Sequence, residues 1–139
     1  MDKEALVRFL EQQFPQAIDQ GYEIADLDEH RLILRLVIDE RHLRPGGTVS
    51  GPTSMGMADA ATYLLILAHL GPVALAVTTN LNIHFMRKPR CEVLLASTTL
   101  LKLGKSLAVG EVRLHPEGKT ADEMLYAHAT VTYALPPAG

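Results

Sequence analysis

An acidic residue stands alone inside a long apolar stretch of the chain. Residues 53–70 read TSMGMADAATYLLILAHL, and Asp59 is the acidic side chain among them. Burying a charge without a partner costs free energy, so this carboxylate must be paired, neutralised or open to a pocket. A carboxylate that faces a pocket is suited to general-base catalysis. The alternative interpretation is that Asp59 caps a backbone group or faces water in the early turns of a helix.

The residues before the apolar stretch offer a second chemical group. Gly51 and Pro52 suit the start of a helix, where backbone N–H groups are free and the helix dipole is positive. Such an N–H stabilises the oxyanion that forms when a carbonyl carbon is attacked. Pro52 has no N–H, so Gly51 is the candidate donor. Asp59 lies eight residues further on, on a similar side of the helix at about 100° per residue.

Other chemistries are less well supported by the residue pattern. A nucleophilic Ser50 or Ser54 would need a nearby histidine–acid pair, and the chain has no Gly-x-Ser-x-Gly elbow. The one cysteine, Cys91, stands at a strand start and is interpreted as a small apolar filler. No metal site is predicted, because four histidines are scattered without metal-ligand spacing, namely His42, His69, His84 and His128.

The elements that would position these residues follow from the hydrophobic periodicity. Residues 3–14 predict an amphipathic helix closed by Pro15, and residues 53–70 predict a helix that is buried on nearly every face. A Gly- and Pro-rich loop, 39–52, precedes the buried helix. Alternating or β-branched residues predict strands at 22–27, 31–38, 75–86, 91–102, 106–115 and 123–135. This order predicts an α+β protein with the hotdog fold, a long central helix wrapped by a curved antiparallel β-sheet.

Length and composition predict a globular protein. The 139 residues with 47% hydrophobic side chains predict one domain over residues 1–139, with a tail at 136–139 that frays. One cysteine allows no intrachain disulfide, and the N-terminus lacks the apolar core of a signal peptide, so a cytoplasmic location is expected. The apolar run at 53–70 is shorter than the roughly 20 residues of a membrane span, so no membrane association is predicted.

The charge is distributed unevenly along the chain. The net charge is −3, but residues 41–105 hold seven basic and two acidic side chains. A basic patch of this kind attracts phosphorylated small molecules, although it is also compatible with an ordinary solvated surface. Nucleic acid is not an expected partner, because the basic residues are few and the whole chain is acidic.

Several short motifs resemble one known family. The segment Gly47-Thr48-Val49-Ser50-Gly51-Pro52, followed by Asp59, resembles the signature of the PaaI-like hotdog acyl-CoA thioesterases, a Gly-x-x-His-Gly-Gly loop followed by an acid on the central helix. Residues 77–86 resemble the strand that follows this helix in the family, with Pro89 at its following proline. Gly104-Lys105-Ser106-Leu107-Ala108 resembles the family's Gly-Lys-(Ser/Thr) turn. The resemblance covers residues 22–135.

The resemblance implies a function and a set of site residues. It implies that Asp59 activates water or attacks the thioester, that the Gly51 N–H polarises the carbonyl, and that Thr78 orients the water. It also implies a homodimer, assembled further into a tetramer, with each site shared between two subunits and with no metal or cofactor. The residues that it places near the CoA moiety of the substrate are Arg44, Arg87, Lys88, Arg90, Gly104, Lys105 and Ser106.

Three positions depart from the family pattern and keep alternatives open. Ser50 stands where the family has its loop histidine, Pro52 replaces a glycine, and Arg44 stands at a frequent asparagine. Ser50 can form hydrogen bonds but cannot titrate near neutral pH as histidine does. The expected activity is hydrolysis of a small or medium acyl- or aryl-CoA. The alternatives are a non-catalytic acyl-CoA-binding or scaffold protein and an acyl-thioester hydratase or dehydratase, against which the missing loop histidine counts.

Overall fold

The computed structural model describes residues 1–137, so Ala138 and Gly139 of the predicted tail lie outside the described residues. The helices are α1 (Lys3–Gln13), α2 (Pro15–Asp19) and α3 (Gly51–Leu70). The strands are β1 (Tyr22–Leu27), β2 (Arg31–Val37), β3 (Val77–Phe85), β4 (Val93–Leu103), β5 (Leu107–Pro116) and β6 (Ala127–Ala134). The predicted order of elements is confirmed.

Two short helices were absent from the sequence prediction. The first helix ends before Pro15 as expected, and Pro15 also begins α2, because proline at a first helical position loses no needed hydrogen bond. Glu40–His42 form a single 3₁₀ turn inside the predicted loop, and the Asp39 carboxylate caps this turn by accepting the Arg41 N–H. Both helices are too short to carry a hydrophobic period that a sequence pattern would show.

The six strands form one antiparallel sheet that wraps α3, which is the hotdog fold. The strand order is β1-β2-β4-β5-β6-β3, so β1 and β3 are the edges. Inward residues of β2 are closed off from solvent, with Leu32 and Leu34 0% exposed, whereas Arg31 and Val37 face outward. The alternation predicted for this strand therefore places its apolar face against the helix.

The central helix α3 is held at both ends by local interactions. Ser50 is the N-cap, and its hydroxyl accepts the Thr53 N–H at 3.3 Å. Pro52 occupies the first turn, and Gly71 ends the helix with φ 85°, a conformation that favours glycine. The body of α3 packs against β2, β4, β5 and β6. Among residues 1–137, no helix has both the length and the apolar content that crossing a membrane requires.

Gly110 sets how closely the sheet approaches α3. A Cβ at this position of β5 would lie 2.7 Å from Thr62 Cγ2 and 3.0 Å from Thr62 Oγ1. Thr62 is fully buried, and its hydroxyl donates to the Ala58 carbonyl at 3.0 Å, so its rotamer is fixed. The missing side chain at residue 110 therefore allows the helix and the sheet to make contact at van der Waals distance.

We expect Gly110→Ala to destabilise the fold by about 1–3 kcal/mol, because the new methyl group overpacks the α3–β5 contact. Urea denaturation followed by circular dichroism measures the change. Gly118→Ala is not a suitable control, because Gly118 has a positive φ that alanine disfavours. The control is Ala121→Gly, which changes a single methyl group in the connection between β5 and β6, away from α3. An unchanged midpoint in Gly110→Ala would contradict the close approach.

Candidate functional site

The Asp59 carboxylate is held by two hydroxyl groups from different strands. Thr78 Oγ1, on β3, donates to Asp59 Oδ1 at 2.6 Å. Tyr133 OH, on β6, donates to the same oxygen at 2.7 Å and lies 3.1 Å from the Asp59 carbonyl oxygen. Within residues 1–137 no hydrogen bond reaches Oδ2. One carboxylate oxygen is therefore fixed while the other is available to a substrate or a water molecule.

Asp59 opens onto a cavity of about 800 Å³. The cavity runs between α3, the α1–α2 segment and the start of β3, and most of its wall is apolar or aromatic. Its aromatic side chains are Phe14, Tyr22, Tyr63 and Tyr133. Tyr63 stacks on Tyr133 with ring centres 5.9 Å apart, and Phe14 lies 6.2 Å from Tyr63. The size and lining are those of a site for a small organic group.

Burial keeps the hydroxyl beside Asp59 protonated. The pKa of Tyr133 is raised well above its ordinary value, chiefly because the phenol is buried and also because of the neighbouring Asp59 charge. A phenol that stays protonated remains a hydrogen-bond donor to the carboxylate throughout the neutral pH range. The same two causes, burial first, raise the pKa of Tyr22.

Gly51 lies in a different cavity from Asp59. This second cavity, of about 410 Å³, is lined by Gly51 with Arg44, Arg87 and Lys88, and Phe85 forms part of its wall. The Gly51 N–H makes no hydrogen bond to any of residues 1–137, as expected for the first residue of a helix. The sequence prediction placed Gly51 and Asp59 on a similar side of α3, but eight residues also advance about 12 Å along the axis. One protomer therefore does not bring both groups to the same substrate atom.

The strand β3 separates the same two groups of residues. Thr78, next to Asp59, lies at its beginning, and Phe85, next to Gly51, lies at its end. Strands rise about 3.3 Å per residue, so these ends are more than 20 Å apart. The Gly104–Ser106 turn lies near the beginning of β3, because Leu107 and Val77 both pair with Ala134. The segment from Arg87 to Arg90 follows the end of β3. The basic residues predicted to meet CoA therefore form two separate groups within one protomer.

Two further predicted site residues, Ser50 and Arg90, have local partners. Ser50 Oγ is engaged at the start of α3, 2.8 Å from Thr53 Oγ1, and its backbone N–H donates to the His42 carbonyl at 2.8 Å. Arg90 reaches back to the 39–52 loop, where Nη2 donates to the Gly46 carbonyl at 3.4 Å. Lys105 is exposed in its turn. Ser50 therefore acts as a helix cap in this structure.

Three cavity residues were missed by the sequence reasoning. Tyr133, Tyr22 and His42 lie 74, 37 and 17 positions from Asp59 in the sequence. Tyr133 carried a usable signal, because it occupies an inward position of the regular alternation in β6. A tyrosine that points into a core needs a partner for its hydroxyl, and Asp59 was the charged group in need of one. The other two had no comparable signal.

Among residues 1–137 no three histidine, cysteine, aspartate or glutamate side chains are grouped so that they could hold a metal ion. The buried His115 instead forms a local network, with Nε2 2.8 Å from Ser97 Oγ and Nδ1 2.8 Å from the Lys119 carbonyl. Because Nδ1 faces a carbonyl oxygen it is the donor, so Nε2 accepts the Ser97 hydroxyl. This pair lies on β4 and β5, away from the Asp59 cavity.

Comparison with known proteins agrees with this architecture. Residues 46–123 match the sequence profile of the thioesterase superfamily. A candidate thioesterase from Silicibacter sp. TM1040 is 48% identical and superposes with a TM-score of 0.88, covering 99% of this chain and 93% of the other. A candidate thioesterase of Ralstonia eutropha, described as related to phenylacetic acid degradation, is 27% identical with a TM-score of 0.78, covering 94% and 98%. A candidate esterase of Pseudomonas aeruginosa is 30% identical over 109 residues, which are 78% of each chain.

The chain combines a hotdog fold with a carboxylate on its central helix that opens onto an apolar cavity, and the relatives that it matches are named as thioesterases and esterases. The chain belongs to the thioesterase superfamily. The resemblance to PaaI-like proteins that the sequence motifs indicated is confirmed by the match to the Ralstonia protein.

The tyrosines provide a test of the site's electrostatics. The pKa values of all four, Tyr22, Tyr63, Tyr126 and Tyr133, are raised above 10.0, in each case chiefly by burial. A raised pKa stabilises the fold below pH 10, and this contribution is lost as the pH rises through the folded-state values. We expect ultraviolet titration of the folded protein to place the phenolate transition above pH 10. A full ionisation step near pH 10 with unchanged circular dichroism would contradict the burial of the site.

Proposed function

We propose that the protein is an acyl-CoA thioesterase that hydrolyses the thioester of a small or medium acyl- or aryl-CoA, with Asp59 as the catalytic carboxylate. One observation carries the proposal: a carboxylate whose Oδ1 is fixed by Thr78 and Tyr133, and whose Oδ2 is free, opens onto an apolar cavity. Fixing one oxygen orients the other toward a reactant, as a general base requires. The names of the relatives support a hydrolase that acts on esters or thioesters.

The reaction needs only groups that the chain provides. Asp59 accepts a proton from a water molecule whose oxygen attacks the thioester carbon, and the carbonyl oxygen becomes an oxyanion that the Gly51 N–H stabilises. The C–S bond then breaks, the proton on Asp59 passes to the departing sulfur, and the products are a carboxylic acid and CoA thiol. Direct attack by Asp59 to form an anhydride, followed by hydrolysis, is the alternative route to the same products.

The separation of Gly51 from Asp59 supports a site shared between two protomers. If two copies pair antiparallel through β3, the beginning of one strand lies beside the end of the other. The Asp59–Thr78 group of one protomer then meets the Gly51 group of its partner. The same pairing brings the turn that contains Lys105 toward the basic segment after Phe85, which would form one continuous groove for the phosphates of CoA.

The edge strand β3 has the features of a pairing surface. It is nine residues long, it carries no lysine, arginine or acidic side chain, and most of its residues are exposed. Natural edge strands that stay unpaired are usually short, bulged or charged. The opposite edge, β1, is only six residues long and contains Glu23 and Asp26, whereas a register shift interrupts the pairing of both edge strands with their neighbours. We therefore propose a homodimer formed through β3 that assembles further into a tetramer.

Hydrolysis is tested by thiol release from a panel of aliphatic and aryl acyl-CoAs. We expect release by the wild type and a loss of roughly a hundredfold or more in Asp59→Asn, because the amide cannot accept the proton of water. Asp122→Asn, an exposed acid in the β5–β6 connection, is the matched control. Release that survives Asp59→Asn would remove Asp59 from the mechanism. No release from any member by folded wild type would favour the binding or scaffold function, and addition of water to an enoyl-CoA without thiol release would indicate a hydratase.

The role of the Gly51 N–H is tested by removing it without moving the helix. Proline suits the first position of a helix, and Ser50 has ψ 153°, the extended conformation that a residue before proline adopts. We expect Gly51→Pro to lower kcat by roughly a hundredfold or more, because one oxyanion donor is lost. Gly51→Ala keeps the N–H and controls for the added side chain, so its loss should be much smaller. Equal losses in both variants would contradict the role of the N–H.

Mixed dimers of Asp59→Asn and Gly51→Pro test the shared site. If each site combines Asp59 of one protomer with Gly51 of the other, one of the two sites in a mixed dimer is intact. Two inactive preparations should therefore regain activity when they are unfolded and refolded together, and light scattering should report a dimer or a tetramer. Mixed dimers that stay inactive would place both groups of a site on one protomer.

A further inference from the structure

The cavity beside Asp59 contains a buried histidine that the proposed reaction does not use. The His42 side chain is 7% exposed, and its Nδ1 accepts the Asp39 N–H at 3.0 Å. In the neutral ring the proton is then on Nε2. Nε2 has no hydrogen-bond partner among residues 1–137, and the ring lines the cavity. Among residues 1–137, the side-chain atom that is both inaccessible to solvent and without a hydrogen-bond partner is Thr98 Oγ1. His42 Nε2 also lacks a partner but is not inaccessible, so it is open to the cavity.

A second unpartnered polar group lies between His42 and Asp59. Tyr22, on β1, lines the same cavity, and its hydroxyl makes no hydrogen bond to any of the described residues. This hydroxyl lies 3.4 Å from the position that a Cβ of Gly56 would occupy, so the glycine leaves room for it against α3. Two donors without protein partners therefore face one apolar cavity, where a ligand or water can accept their hydrogen bonds.

The polar groups are spaced along α3 in regular steps. Three residues of α3 follow one another at intervals of three, namely Asp59, Gly56 and Thr53. Gly56 lies beside the Tyr22 hydroxyl, and Thr53 Oγ1 donates to the His42 carbonyl at 3.4 Å. Each step advances about 4.5 Å along the helix axis. The wall on either side is apolar, with Leu36 and Leu64 among its residues. The Tyr22 hydroxyl and the backbone of His42 therefore lie on the side of Asp59 toward the start of the helix.

We propose that His42 and Tyr22 form a polar subsite that binds an oxygen atom carried by the acyl group, so that the preferred substrates are acyl-CoAs with a hydroxyl or carbonyl group distal to the thioester. This inference rests on the proposed function, since it assigns the cavity to the acyl group. The Nε2–H and the phenol O–H donate to the distal oxygen, while the apolar wall packs against the carbon atoms between that oxygen and the thioester. A site with donors placed for an oxygen atom discriminates against an analogue that lacks this acceptor.

The test compares hexanoyl-CoA with its ω-hydroxy derivative, a pair that differs in one distal oxygen. We expect the wild type to show roughly a three- to tenfold higher kcat/KM for the hydroxylated member, which is about the value of one net hydrogen bond. His42→Asn should lose this preference, because the amide oxygen replaces Nδ1 as the acceptor of the Asp39 N–H and no atom replaces Nε2. His42→Gln, whose amide nitrogen can reach the Nε2 position, should retain part of it. Tyr22→Phe should reduce it.

The preference ratio distinguishes a subsite from a structural role. A purely structural His42 would lower the rates of both substrates alike and leave their ratio unchanged, and that result would overturn the proposal. His30→Asn, in the exposed turn between β1 and β2, should leave the ratio as in the wild type. Equal rates for the two substrates in the wild type would also overturn the subsite, even with thioester hydrolysis established.

The subsite can be tested by ligand binding even if no thioester is hydrolysed. Non-hydrolysable thioether analogues of the same pair are then compared by calorimetry. A tighter dissociation constant for the hydroxylated analogue that disappears in His42→Asn would support the subsite and refute only the hydrolase. Equal binding of both analogues would mean that water alone satisfies the two donors, and the proposal would fail independently of the enzyme's activity.

Discussion

The structure depends on placing one carboxylate inside an apolar helix without leaving it unpartnered. The side chains of α3 are apolar on nearly every face, so the sheet must wrap the helix to cover them. The same wrapping brings Thr78 and Tyr133, from the neighbouring strands β3 and β6, to Asp59 Oδ1. Hydrogen bonds to a charged group contribute roughly 1.5–3 kcal/mol each, which offsets part of the desolvation cost. The packing of the sheet around α3 therefore also assembles the hydrogen bonds of the site.

The fold was accessible from the sequence because its signals are strong. The apolar run at 53–70 is too long for a strand, and β2 alternates over its whole length. Each of these patterns therefore predicts a single type of secondary structure. The contacts between elements were less accessible. That Gly110 faces Thr62 depends on strand order and register, which local periodicity does not encode. Short elements such as α2 gave no period at all.

The candidate site was predictable where chemistry demanded a partner. Asp59 stood out because a charge in an apolar helix must be explained. Its neighbour Thr78 came from the family resemblance, and Tyr133 could have come from asking which inward side chain donates to it. His42 and Tyr22 were not predictable, because each lies at an unremarkable position in the sequence and becomes significant only when the wrapped sheet places it in the cavity.

The replacement of the family's loop histidine by Ser50 has a physical consequence that connects the two parts of the site. Ser50 Oγ caps α3, and its N–H is bonded to the His42 carbonyl, so the loop is tied to the helix start through His42. The same histidine fixes the 3₁₀ turn through Nδ1, which leaves Nε2 as the group that faces the cavity. A histidine ring is thus absent at position 50 but present nearby at His42, which lines the Asp59 cavity. In the proposed subsite this ring would select a substrate through a distal oxygen instead of activating the thioester.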